Sequence, residues 1–193
     1  MKKIMTAALL CAMPLSASFA GDDAKKYAAE SKAVVKEFFG QLKGELGKSM
    51  KSGGPVATIE VCSKTAPDIA KALSEKHGMT VARTSLKTRN STNAPDAWEE
   101  KVLNKFAERR AAGESPKDMA FFEIIEEGGK KNFRFMKAIG MPPLAKMPCL
   151  KCHGENIDPK ITAKLDELYP EDKARGYKVG QIRGAFTITK PLN

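Results

Sequence analysis

The chain lacks several features that would place it at once in a broad class of proteins. It contains no apolar run of the roughly 20 residues that a membrane-spanning helix needs. It also has no internal repeat, no low-complexity tract and no arginine-rich or other nucleic-acid-binding motif. We therefore expect neither a membrane span nor a nucleic-acid partner.

Cysteine and histidine are scarce, which restricts the sites that the chain can build. The 193 residues include four cysteines and two histidines. Cys11 lies in the N-terminal leader described below, so Cys62, Cys149 and Cys152 remain for the folded domain. An odd number of cysteines leaves one thiol unpaired in a simple disulfide scaffold. This arithmetic favours another use for the cysteines.

The first 20 residues, MKKIMTAALLCAMPLSASFA, are typical of a cleavable secretory signal. Two lysines precede an apolar run from Ile4 to Leu15, and Ser18 and Ala20 stand at the usual cleavage spacing. The apolar run is too short to cross a bilayer. We expect cleavage after Ala20, export to the periplasm and a single domain over residues 21–193.

The net charge is positive, but both signs are mixed along the chain. Lysine and arginine number 33 against 23 acidic residues, and without Lys2 and Lys3 the count is 31 against 23, a net charge of +8. Such basicity suits an acidic protein partner or an anionic surface. Because the charges are dispersed, a solvated surface with a mild bias is the simpler interpretation.

Residues 24–47 carry apolar side chains at intervals of three and four, which predicts an amphipathic helix. The SGGP at 52–55 breaks this helix, and Pro55 can open the next one. Pro67 lacks an N–H, so we expect a kink or restart between Ser63 and Pro67. The second helix should end at Gly78 in a left-handed conformation.

The remaining segments predict strands and shorter helices. We expect a strand over 79–86, a helix over 98–111, a hairpin with its turn at 128–130, a helix over 159–168 and a strand beginning at 182. This order indicates an α+β domain built on an antiparallel sheet flanked by helices.

The stretch MPCLKCHG at 147–154 contains a Cys-x-x-Cys-His motif. One helical turn places Cys149 and Cys152 on one face for thioether bonds to haem, and His153 can ligate the iron. A structural zinc site needs four ligands, and the chain has no second Cys-x-x-Cys or histidine pair. A thioredoxin-like disulfide is expected near a βαβ unit, whereas this motif follows a proline-rich loop. The motif therefore predicts one covalently bound haem c.

The sixth iron ligand is left open by the residues alone. Cys62 lies on the apolar face of its helix and is the thiol left over after haem attachment, but free cysteine is often simply buried. His77 is most simply a cation at a helix C-terminus. Six methionines are further candidates, although most methionines at such positions fill cores: Met50, Met79, Met119, Met136, Met141 and Met147.

Four blocks of this sequence, in this order, resemble a family of secreted haem c domains with a PAS-like fold. The blocks are VCSKTAP around Cys62, RTSLKTRNSTNAPDAWE from Arg83, MPCLKCHG, and GYKVGQIRGAFTI near the C-terminus. The family includes free exported cytochromes and the sensing domains of bacterial receptors. With no membrane helix or kinase region after Asn193, the chain resembles the free form.

The resemblance implies a particular set of site residues. A single haem would be attached at Cys149 and Cys152, with His153 as one axial ligand and Cys62 as the other. Arg83 and Arg89 are candidate partners of the haem propionates, and structural salt bridges are an equally good explanation of both.

Three functions follow from these expectations. A thiolate ligand stabilises ferric iron, which favours a low-potential redox protein or redox sensor that exchanges electrons with a protein partner. The alternative is a gas-sensing module in which Cys62 leaves the iron on reduction. A peroxidase or sulfur-oxidising enzyme needs an open iron site and an acid–base group, and His77 is poorly suited to that role. We therefore do not expect an enzyme.

Overall fold

A computed structural model describes the backbone of residues 16–192, and the predicted signal peptide lies largely outside these residues. None of the described helices is both long and apolar enough to cross a membrane. The helices are α1 (Ser16–Glu60), a π-helix (Val61–Thr65), α2 (Ala66–His77), a 3-10 turn (Ser91–Asn93), α3 (Ala97–Ala111), α4 (Leu150–His153) and α5 (Pro159–Leu168), and the strands are β1 (Thr80–Thr84), β2 (Ala120–Glu127), β3 (Lys130–Gly140) and β4 (Ile182–Leu192).

The helical interruptions fall where the sequence predicts them. Within α1, Gly54 has a φ of 70°, a conformation that glycine adopts without the strain of a Cβ atom, and Pro55 follows it. The expected disturbance before Pro67 is the π-helix Val61–Thr65, because the proline nitrogen has no hydrogen to donate. The second helix ends at Gly78, whose φ is 61°.

The strands within residues 16–192 form one antiparallel sheet in the order β1-β4-β3-β2. The β2–β3 hairpin turns at Gly128 and Gly129, with φ values of 58° and 74°, which match the twist of the strands. The prediction of an α+β fold with an antiparallel sheet flanked by helices, including a long N-terminal helix, is therefore confirmed.

The sheet packs helices on both of its faces. Phe133, Phe135 and Ile188 alternate toward α1 and α2 and are fully buried there. Met136 and Ala185 point to the opposite face, where α3 covers them. The segment between β3 and β4, which carries α4 and α5, lies at one end of the first face and completes a cavity there.

Candidate functional site

A concavity lies between the N-terminal helices, the β1–β4 end of the sheet and α4. Its empty volume is about 1270 Å³, counted out to its open mouth. Cofactor sites are typically concave and mostly apolar, with a few polar groups. The walls of this cavity are largely apolar and include Leu42, Ile59, Ile139, Met141 and Phe186.

The Cys-x-x-Cys-His motif forms the predicted helical turn at the wall of this cavity. Cys152 N–H and His153 N–H donate to the carbonyl oxygen of Cys149 at 3.2 Å and 3.0 Å. Both cysteines and the histidine line the cavity. The turn ends at Gly154, where a Cβ atom would lie 2.5 Å from the carbonyl oxygen of Leu150. Glycine is therefore required directly after the histidine.

The thiols of the motif are partly buried and neutral. Burial, with a smaller contribution from the nearby Cys62, raises the pKa of Cys149 to about 11. Burial also raises the pKa of Cys152. Cys62, Cys149 and Cys152 are all free thiols in this structure.

His153 is held as a neutral imidazole with a defined orientation. Burial, followed by the positive charges of Arg89 and Arg183, holds the pKa of His153 well below its usual range. Its Nδ1 lies 2.8 Å from the carbonyl oxygen of Ala174. A carbonyl can only accept, so Nδ1 carries the proton and Nε2 keeps its lone pair. This is the tautomer that a metal-ligating histidine requires.

Cys62 lies in the same cavity, although 87 residues separate it from Cys149. The π-helix Val61–Thr65 carries it, and π-helical turns occur frequently at functional sites. The structure thus brings together Cys62, Cys149, Cys152 and His153, the four residues that the family resemblance implies as haem anchors and axial ligands.

The other candidate ligands divide into two groups. Met50, Met141 and Met147 line the cavity, whereas Met119 and Met136 are fully buried in the core under α3. The three methionines that line the cavity therefore remain candidates for the sixth iron ligand, and the two in the core do not. Met79 is likewise buried, in the core under α1 and α2.

His77 lies elsewhere, at the end of α2. Its Nε2 is 3.1 Å from a carboxylate oxygen of Glu37 on α1. This position agrees with the expectation that His77 ends a helix. It does not line the cavity.

The polar part of the lining is cationic. Arg83, Arg89 and Arg183 reach the cavity, and no aspartate or glutamate of residues 16–192 lines it. Burial lowers the pKa of both Arg83 and Arg183. Within the described part of the chain, Arg83 makes no ion pair, and its guanidinium lies 5.8 Å from the centre of the Phe38 ring. The cavity is therefore suited to an anionic group.

Arg89 differs from Arg83 because protein groups already hold it. One terminal nitrogen lies 2.6 Å from the carbonyl oxygen of Cys152 and 3.1 Å from a carboxylate oxygen of Asp172. Its Nε is buried and finds no partner among the described residues. Arg89 is thus first a structural residue, as one of the two sequence interpretations has it, and its buried Nε still lacks an acceptor.

Arg183 and Asp172 were missed by the sequence analysis. Each lies more than 80 residues from Arg89, and no local spacing connects them. The GYKVGQIRGAFTI block does contain Arg183, which was the one available signal. Asp172 stands in no motif.

Comparison with known proteins places this geometry in a family. The family model described as Tll0287-like matches residues 17–191. The chain belongs to the Tll0287-like family. No match was found among the curated proteins.

One solved structure is similar to this member of the Tll0287-like family. Its description is "Crystal structure of the cyanobacterial heme-protein Tll0287", and the TM-score is 0.65 at 23% sequence identity, over 87% of this chain and 96% of that one. At this identity the likeness supports the fold. The chemistry of the site must be argued from the side chains themselves.

Proposed function

We propose that this chain is a periplasmic c-type haem protein that binds one haem, attached through Cys149 and Cys152, with His153 as an axial ligand. The observation that carries this proposal is the neutral His153 on the Cys-x-x-Cys turn, which lines a mostly apolar cavity and whose Nε2 keeps its lone pair for a metal. When bound, the haem supplies one-electron chemistry between ferric and ferrous iron.

The donors of the cavity fit this group. Haem has an apolar ring and two anionic propionates, and the cavity combines apolar walls with three arginines and no carboxylate of residues 16–192. The buried Nε of Arg89 and the guanidinium of Arg83 are the donors that a propionate would satisfy. Without an anion, Arg83 has no counter-ion among the described residues, and Nε of Arg89 has no hydrogen-bond acceptor although its charge is paired with Asp172.

Cys62 is proposed as the second axial ligand. It lines the cavity together with His153, and a thiolate stabilises ferric iron and lowers the reduction potential. We therefore propose a low-potential redox protein or redox sensor, built on a PAS-like sheet, that exchanges electrons with an acidic protein partner. The net positive charge of the chain supports that choice of partner.

Covalent attachment is tested by expressing the whole chain in a periplasm with active c-type haem maturation. We expect a mass increase of one haem, a pyridine haemochrome spectrum of the c type, and colour that acidic acetone does not extract. The matched control is Cys149→Ala/Cys152→Ala, which should lose all three signals. A colourless wild-type protein with no added mass would contradict the proposal.

Axial ligation is tested separately by electron paramagnetic resonance of the ferric protein. Cys62→Ser should convert a low-spin thiolate spectrum to a high-spin or aquo type, whereas Met50→Leu and Met147→Leu should not. If a methionine variant changes the spectrum and Cys62→Ser does not, the sixth ligand is that methionine.

A second candidate function is gas sensing, and the π-helix at Cys62 favours it. A π-turn holds one residue more than an α-turn, and such turns occur frequently at functional sites. The reduced protein would then release Cys62 and bind a small gas. Binding of carbon monoxide with loss of the thiolate signature supports this function, and retained Cys62 ligation without binding counts against it.

A further inference from the structure

A buried carboxylate lies directly behind the Cys-x-x-Cys-His turn. The side chain of Asp172 is 1% exposed and lies between two guanidinium groups. One of its oxygens is 3.1 Å from Arg89 Nη2 and 2.8 Å from Arg175 Nε. Burial raises the pKa of Asp172, but hydrogen bonds from both arginines outweigh this effect and lower the pKa overall. The carboxylate is therefore charged.

Asp172 is connected to His153 through the backbone of one residue, Ala174. The amide of Ala174 donates to Asp172 Oδ1 at 2.9 Å, and the carbonyl oxygen of Ala174 accepts from His153 Nδ1 at 2.8 Å. Arg89 Nη2 also lies 3.3 Å from that carbonyl oxygen and 2.6 Å from the carbonyl oxygen of Cys152. The Asp172 carboxylate thus fixes the position of Ala174, whose carbonyl oxygen accepts the hydrogen bond from the imidazole.

The backbone after Asp172 runs along the turn and reinforces this arrangement. Gly176 N–H donates to the carbonyl oxygen of Gly154 at 2.9 Å, and Tyr177 N–H donates to that of His153, also at 2.9 Å. The Tyr177 ring packs edge-on against the imidazole, with 6.4 Å between ring centres. The ring of His153 is therefore oriented from the side of the 172–177 segment.

We propose that Asp172 is a positioning residue for the axial histidine: it holds the Ala174 carbonyl against His153 Nδ1 and cancels the charge of Arg89 beside the haem pocket. This inference rests on the proposed haem function. It separates two roles, a charge role through Arg89 and Arg175 and a geometric role through Ala174.

The two roles have different consequences, and two substitutions separate them. Asp172→Asn removes the charge but keeps an oxygen that can accept from the Ala174 amide, so His153 stays in place. Arg89 then loses its counter-ion, and Arg175 keeps only the exposed Asp166. A less compensated positive charge disfavours ferric iron relative to ferrous iron. Asp172→Ala also removes the acceptor and frees the Ala174 carbonyl and the ring that it holds.

The experiment is a spectroelectrochemical titration of the haem-loaded full chain. For Asp172→Asn we expect the ferrous-to-ferric ratio at the wild-type midpoint to rise about tenfold, the order of effect of one uncompensated buried charge at an effective dielectric constant of about 20. The ferric resonance spectrum should stay that of the wild type. Asp172→Ala should show the same rise and a second, heterogeneous ferric species.

The matched control is Asp166→Asn. Asp166 pairs with the other end of Arg175 at 2.5 Å, but it is 61% exposed and touches neither Arg89 nor Ala174. In Asp166→Asn the ferrous-to-ferric ratio at the wild-type midpoint should change less than about twofold, since solvent screens an exposed charge. A wild-type midpoint in Asp172→Asn, or an equal shift in Asp166→Asn, overturns the proposal.

A variant of Arg175 tests the same charge role if the Asp172 variants do not fold or cannot be purified. Arg175→Gln removes the outer cation, which is 28% exposed, and leaves Asp172 paired with Arg89. For this variant the ferrous-to-ferric ratio at the wild-type midpoint should fall, whereas it should rise for Asp172→Asn. If the ratio does not fall, the charge role of Asp172 is overturned. These outcomes all require attached haem, so a wild-type protein without haem refutes the proposed function instead.

Discussion

The two faces of the sheet bury arginine side chains in opposite electrostatic surroundings. Under α3, Arg134 is 7% exposed and pairs with Asp96 at 2.6 Å and Glu99 at 3.2 Å. Its guanidinium also lies 4.4 Å from the ring of Trp98. The hydroxyl of Thr187 donates to the same Glu99 oxygen at 2.7 Å. This cation is compensated within the chain itself.

On the other face, Arg83 points into the cavity between the helices and the sheet, where no carboxylate of residues 16–192 lies in the lining. The charge of Arg134 is therefore balanced by carboxylates of the chain, whereas no carboxylate of residues 16–192 balances the charge of Arg83 in the cavity. Removing one member of a buried ion pair destabilises the fold, because the other charge is left buried without a partner. A buried cation without a carboxylate in a cavity indicates a site for an anion. The same substitution at the two positions tests this distinction.

The largest effect is expected at Arg134. Arg134→Met leaves the buried Glu99 carboxylate with only two neutral donors, the Thr187 hydroxyl and the Asp96 amide. Breaking a buried pair by removing one partner lowers the free energy of unfolding by about 3–5 kcal/mol. Chemical denaturation of the haem-free Cys149→Ala/Cys152→Ala protein measures this loss. Attached haem should leave the loss unchanged, because Arg134 lies on the face away from the cavity. A loss below about 1 kcal/mol would place Arg134 among structurally neutral residues.

A smaller effect of the opposite sign is expected at Arg83. In the same haem-free protein, Arg83→Met should raise the free energy of unfolding by about 1 kcal/mol, since an apolar side chain replaces an unpaired, partly buried charge. Denaturant midpoints of the two Met variants, measured side by side, give the comparison directly.

The control for Arg83 is the haem-loaded protein. There, Arg83→Met should no longer stabilise, because the arginine then has an anionic partner to lose. If Arg83→Met destabilises the haem-free protein as strongly as Arg134→Met does, the two faces do not differ in the way proposed.

The sequence was sufficient for the parts of this molecule that depend on local chemistry. The break at Gly54, the disturbance before Pro67 and the turn at Gly128 follow from the properties of glycine and proline over a few residues. The Cys-x-x-Cys-His turn follows from spacing in the same way. Its prediction needed no tertiary information.

What the sequence did not predict depends on distant segments. Whether Arg83 or Arg89 has a protein partner is decided by where Asp172 lies, and no periodicity connects residue 172 with residues 83 and 89. Arg183 was missed because the alternation of β4 shows which residues are half-buried and not which cavity they face. Long-range pairing of charges is therefore the information that the structure adds.

The smallest effect concerns acid stability and tests whether Asp172 is compensated as Arg134 is. The pKa of Asp172 lies below its ordinary value of 3.8, because hydrogen bonds from Arg89 and Arg175 outweigh its burial. A lowered folded pKa contributes stability that is complete above the unfolded value and disappears as the pH falls through the folded one. Asp172→Asn should therefore be less stable than the parent by a constant amount from about pH 5 to 8.

Below about pH 3.8 this difference should shrink, because the unfolded parent takes up a proton that the folded carboxylate binds only at lower pH. Denaturation of the two haem-free proteins at pH 3 and pH 7 measures it, with Asp166→Asn as the exposed control. Equal differences at both pH values would mean that Asp172 acts through its shape alone. Its charge would then not balance that of Arg89. Both Arg83 and Arg89 would in that case lack a compensating carboxylate on the cavity face of the sheet.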